Sequence, residues 1–141
     1  MDEEIITLEQ AIELIKQSLH DEKKDEIFCN EIITNAQNPK EISILTDIAN
    51  DERKHYQILM HLYNKFTGIT LPHITPFPDG YLDMSFKEQL EKALFRKLEL
   101  VKIYRRIMGA MPDNTSYVLL MSIVTDELRH VDLYNFLINQ Q

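Results

Sequence analysis

Two short segments carry the residues with the most chemistry to offer. Asp51-Glu52-Arg53-Lys54-His55 and Asp126-Glu127-Leu128-Arg129-His130 both read Asp-Glu-x-x-His, and they lie 75 residues apart. A carboxylate and an imidazole three residues apart share one face of a helix. Two such helices facing each other would gather two carboxylates and two imidazoles around one point. That is the ligand set of a metal site inside a helix bundle, completed by one carboxylate from each of two partner helices.

The elements that must position these residues can be placed from their end signals. Thr7 and Gln10 form a capping box that opens a helix over 8–36. Asn38, Pro39 and Glu41 start a second over 39–66, which Gly68 stops. Ser85 with Glu88 opens a third over 86–110, and Asp113 caps a fourth over 114–139. The first and third links are a few residues each, so they make antiparallel hairpins. Residues 69–84, with Pro72, Pro76, Pro78 and Gly80, read as an extended crossover. Short, long, short is the connection pattern of an all-α, ferritin-like four-helix bundle, here one domain over 1–141.

The two hairpins also repeat each other. A gapless shift of 75 superimposes Glu13 on Glu88, Ile32 on Ile107, Leu45 on Leu120, Ile48 on Ile123 and Leu62 on Leu137. It also carries the whole Asp-Glu-x-x-His segment and the caps Asn38 and Asp113 onto each other. In the first helix the candidate carboxylate is Glu22. The same shift places Lys97 at its counterpart in the third. Neither neighbouring acid restores the pattern: Glu99 is about 200° round the helix and Glu91 roughly 9 Å back along it.

Asp21-Glu22, Asp51-Glu52-x-x-His55, Asp126-Glu127-x-x-His130 and Tyr104-Arg105 together resemble a rubrerythrin-type, ferritin-like di-iron domain over nearly the full chain. The resemblance implies Glu52 and Glu127 as bridging ligands, His55 and His130 as terminal ones, and Glu22 as the terminal carboxylate of one metal. It implies reduction of peroxide or reaction with oxygen, electrons taken from a separate protein such as a rubredoxin, and a homodimer. Lys97 falls where that family has its fourth carboxylate. Four glutamates balance two divalent ions; three glutamates and one ammonium balance one. The expectation is therefore one iron, or a weak second one, with Zn or Mn as other occupants. Asp51 and Asp126 suit the outer ring nitrogens of the imidazoles, paired crosswise as Asp51 with His130 and Asp126 with His55. Tyr104 is a candidate donor to a ligand carboxylate. The competing readings are a bundle that binds or stores iron without turnover, and a metal-free cluster in which Lys97 pairs with Glu22, Glu52 or Glu127.

The remaining residues take plainer roles. Cys29 reads as a small buried apolar group. His20, His61 and His73 lie off the site. Met60, Met108, Met111 and Met121 read as core filling, and most of Asp21 to Glu26, Glu22 apart, as a solvated face. Apolar residues make up 44% of the 141, and only 3 Gly and 5 Pro interrupt helix formation. The net charge of −8 argues against nucleic-acid or anionic-membrane partners. A single cysteine excludes an intramolecular disulfide and a Cys-x-x-Cys iron site in this chain. The acidic start, Met-Asp-Glu-Glu, lacks the features of a signal peptide, and no apolar run is of bilayer length. A cytoplasmic protein is expected.

Overall fold

A computed structural model describes residues 5–76 and 83–141. Four helices form: α1 (Leu8–Ile33), α2 (Pro39–Thr67), α3 (Phe86–Gly109) and α4 (Asn114–Asn139). No strand occurs among the described residues. The expected caps are present. Thr7 and Gln10 exchange hydrogen bonds at 2.9 and 3.1 Å, satisfying two amides that the helix leaves open. Asn38, Ser85 and Asp113 accept from the amides of Glu41, Glu88 and Ser116. Glu41 reaches back one residue further than a capping box does, accepting from the Gln37 amide at 2.8 Å. Gly68 takes the left-handed conformation that ends α2, φ 73°.

α1 ends at Ile33, three residues before the expected end at 36. The amides of Thr34, Asn35 and Ala36 turn back to carbonyls three residues earlier, and the Thr34 hydroxyl donates to the Glu31 carbonyl at 2.6 Å. This tightened last turn frees the chain for the extended backbone that the Asn38 cap requires. α2 runs one residue past its expected end, and α3 stops one short.

The short links fold α1 against α2 and α3 against α4 as antiparallel hairpins. The hairpins join through α1 with α3 and α2 with α4, leaving α1 and α4, and α2 and α3, across the diagonals. Of the crossover, 77–82, including Pro78 and Gly80, lie outside the described residues. Leu71 and Ile74 pack onto the core, and the His73 ring meets Tyr56 edge-on at 5.9 Å. Among the described residues no helix is long and apolar enough to cross a membrane.

The core is split in two. One apolar cluster contains Ile15, Leu19, Leu59, Leu62, Leu100, Tyr104, Leu120 and Ile123. The other contains Phe28, Cys29, Ile32, Leu45, Ile48, Leu90, Ala93 and Tyr134. On every helix the residues between the two clusters are ionisable: Glu22 on α1, Glu52 and His55 on α2, Lys97 on α3, Glu127 and His130 on α4. All six are buried. A fully polar layer thus runs through the middle of an apolar bundle. Met121 departs from its expected core role: it is 41% exposed on the outer face of α4.

Candidate metal centre

Each helix contributes to the layer through the face it turns inward. Glu and His of each Asp-Glu-x-x-His segment point to the bundle axis, and the preceding Asp reaches sideways to the opposite helix. The crossed pairs are present. His55 Nε2 lies 2.8 Å from Asp126 Oδ2, and His130 Nε2 lies 2.8 Å from Asp51 Oδ2. With Nε2 engaged by a carboxylate, each ring turns Nδ1 to the interior. Arg129 also donates to Asp51, and the Arg129 charge helps to hold that carboxyl below its usual range. Burial, the largest single influence, works against this lowering, and the His130 hydrogen bond and the charges of His130, Arg129 and His55 together outweigh it.

One potential ligand atom each from Glu22, Glu52, His55 and Glu127 lies within 4.8 Å of all the others. His55 Nδ1 is 3.1 Å from Glu127 Oε1 and 3.6 Å from Glu22 Oε1. Ligands about 2.0–2.2 Å from a shared cation stand roughly 3–3.5 Å apart, a range that the His55–Glu127 separation meets and the His55–Glu22 separation approaches. The donor chemistry fits as well. His55 Nδ1, His130 Nδ1, Glu22 Oε2 and Glu52 Oε2 are buried without a hydrogen-bond partner. Buried polar atoms left unsatisfied are uncommon, and a bound ion is one explanation for several in one place. Glu22, Glu52, His55 and Glu127 therefore fit a metal ion. His130 stands apart from this group. Its Nδ1 is 3.7 Å from Glu127 Oε1, and its ring centroid is 6.0 Å from that of His55.

Lys97 enters the layer from α3. It is 2% exposed. Its ammonium hydrogen-bonds Glu52 and lies 3.2 Å from Glu127 Oε2. Burial would discharge it, but Glu127, Glu52, Asp25 and Glu22 together hold its pKa well above the usual lysine value. It is a cation embedded among carboxylates.

The carboxylates respond unequally. Burial pushes Glu22 up, yet its close contacts with Glu52 and His55 and the Lys97 charge prevail and hold it well below the usual range. Tyr104, fully buried on α3, donates to Glu22 Oε1 at 2.6 Å. Glu52 is raised well above its usual value by burial and by the charges of Glu22 and Glu127, against the pull of Lys97. The imidazoles divide too. His55 is opposed by burial but lifted to about 10 by Glu127 and Glu22. His130 is lowered, by burial and by the Lys97 charge. Residues equivalent in the repeat thus differ because one side of the layer holds Glu22 and the other Lys97.

Asp25 belongs to this layer, although its charge run predicts a solvated face. It lies one turn beyond Glu22, a spacing that keeps it on the same side of α1. Its side chain is 12% exposed, and Oδ1 lies 3.4 Å from Arg96 Nε. Burial, together with Glu22 and Glu127, raises it to about 7 against the opposing charges of Lys97 and Arg96. Glu26, its side chain 14% exposed, pairs instead with Arg53 at 2.8 Å. Cys29 sits beneath the layer, 1% exposed, its thiol donating to the Leu45 carbonyl at 3.3 Å. Burial pushes it up to about 11. His20 and His61 are exposed on other faces.

Searched against protein-family models, curated proteins and solved structures, the chain matches none. What can be said of its chemistry rests on the layer itself: a buried carboxylate and imidazole cluster able to hold a metal ion.

Proposed function

We propose that this chain is a rubrerythrin-like oxidoreductase that binds a non-haem metal ion, iron by preference, at Glu22, Glu52, His55 and Glu127, and that it acts on peroxide or oxygen. One observation carries the reading: four donors converge within 4.8 Å of one another in a layer where several buried nitrogen and oxygen atoms have no hydrogen-bond partner. A mixed carboxylate and imidazole set suits iron, and it also accepts Zn or Mn. Bound there, iron supplies redox chemistry that no side chain of the layer has. The protein's part is support. Asp126 holds His55 with Nδ1 inward, Tyr104 fixes Glu22 through its hydroxyl, and the two apolar clusters keep bulk water from the layer. Electrons would come from a separate donor such as a rubredoxin. The partner by that likeness would be a second copy of the chain, and exposed Val118, Met121 and Leu128, at helical spacing on one side of α4, are available to it.

A second reading has its own observation. The Lys97 ion pairs with Glu52 and Glu127 favour a metal-free salt-bridge layer or an iron-binding bundle without turnover. The test is peroxide added to the protein loaded with ferrous iron under anaerobic conditions. The oxidoreductase reading expects a near-ultraviolet absorbance change, reversed by a reductant. Iron bound without response to peroxide leaves storage, and no iron bound leaves the salt-bridge layer.

A further inference from the structure

The Lys97 ammonium has a position more specific than charge counting gives it. A buried lysine can turn its head toward solvent along its alkyl stem. Lys97 does not: its head lies between Glu52 on α2 and Glu127 on α4, and touches both. These are the two carboxylates that the repeat makes equivalent, and each would otherwise be shared between the two halves of the layer. The halves are unequal as a result. On one side Glu22 and His55 stand with Glu52 and Glu127 inside one ligand-sized space. On the other, His130 lies outside that space, its Nδ1 3.7 Å from Glu127 Oε1.

We propose that Lys97 is a tethered replacement for a second metal ion, so that the chain holds a single ion on the His55 side and the ammonium fills the seat beside His130. The electrostatics agree. Glu22, Glu52 and Glu127 carry three negative charges when ionised, which one dication and one ammonium balance. A second dication against a buried ammonium finds no charge left on these three glutamates to offset it, and Asp25, the further carboxyl of the layer, faces Arg96. The same arrangement explains why Glu52 keeps company with Lys97 while Glu22, across the layer, is bound by Tyr104 and faces His55. The tether also makes the two halves chemically distinct in a bundle whose sequence repeat would otherwise make them alike.

This inference rests on the metal-binding reading, and one experiment separates the two. Mn2+ serves as the probe, with ions per chain counted by elemental analysis and their environment read by electron paramagnetic resonance. Wild type, Lys97→Glu, His55→Ala and His130→Ala are compared, each first shown by circular dichroism to be helical. The expected results are one isolated Mn2+ per wild-type chain, and binding weakened more than about 100-fold by His55→Ala but less than about tenfold by His130→Ala. Lys97→Glu should take up two ions whose spectrum shows exchange coupling. Two ions in the wild type, or equal losses from the two histidine variants, would overturn the assignment of Lys97 while leaving metal binding intact. Lys97→Glu restricted to one ion would also overturn it. No ion in any folded variant would overturn the metal-binding reading itself, and this inference with it.

Discussion

Asp126 on α4 holds His55 on α2 through a 2.8 Å contact to Nε2, and this bond decides which ring nitrogen faces the interior. The same contact is repeated in mirror fashion by Asp51 and His130. The carboxylates therefore stand outside the layer and orient it, while the glutamates one position later stand inside.

Asp126→Ala should leave the bundle folded, since the Asp126 side chain is 31% exposed, and yet loosen the His55 ring. Loss of a carboxylate behind a metal-binding imidazole weakens affinity by roughly 10–100-fold. Competition with a chromophoric chelator measures it. An unchanged affinity would mean that His55 does not hold the ion.

Tyr104→Phe removes the hydroxyl that donates to Glu22 and keeps the ring that packs in the core. A hydrogen bond to a charged group is worth about 1.5–3 kcal/mol, and the orphaned carboxylate stays buried. Urea denaturation of the metal-free protein should show a loss of this size at an unchanged slope. A change below about 0.5 kcal/mol, the scatter of an ordinary surface substitution, would contradict the contact.

The metal-free protein should lose stability as pH rises. His55, near 6.5 when unfolded, is lifted to about 10 in the fold. The unfolded chain gives up this proton first, so the stabilisation is complete below pH ~6.5 and disappears as pH rises toward the folded value. Asp25, raised to about 7, acts in the same direction at lower pH. Between its unfolded value and about 7, only the unfolded chain ionises. Metal binding must displace the His55 proton, so apparent affinity should instead climb with pH, about tenfold per unit for one proton released. Denaturation and metal titration at ~pH 6 and ~pH 9 check both slopes. Parallel slopes would contradict the account.

Cys29 should be inert in the native state. Its thiol is buried, donates to Leu45 and is pushed up to about 11, so little thiolate forms at neutral pH. Reaction with a disulfide reagent should await unfolding in urea. Rapid native labelling would show that the segment around Cys29 opens.

Much of this architecture was legible in the sequence because its signals are local. Thr7, Asn38, Ser85 and Asp113 cap where side chains of their type satisfy open amides, and Gly68 stops α2 where a left-handed residue is needed. The polar layer was legible because a repeat fixes register: Lys97 falls opposite Glu22 whatever the packing details. What escaped depends on packing between helices. The Asp21 to Glu26 run does not reveal that Asp25 is covered beside Arg96 while Glu26 pairs with Arg53. Met121 is apolar and at helical spacing, yet it lies on the face of α4 that no other helix covers. The early end of α1 follows from a Thr34 hydroxyl competing for a backbone carbonyl, a choice that helix periodicity does not register.

Anomalous diffraction at the iron edge from crystals of the iron-loaded protein tests the central claim most directly. The account predicts an anomalous peak within coordinating distance of His55 Nδ1 and of carboxylate oxygens from Glu22, Glu52 and Glu127. Iron found only on the surface, or an ordered layer with no anomalous peak at saturating iron, would contradict it.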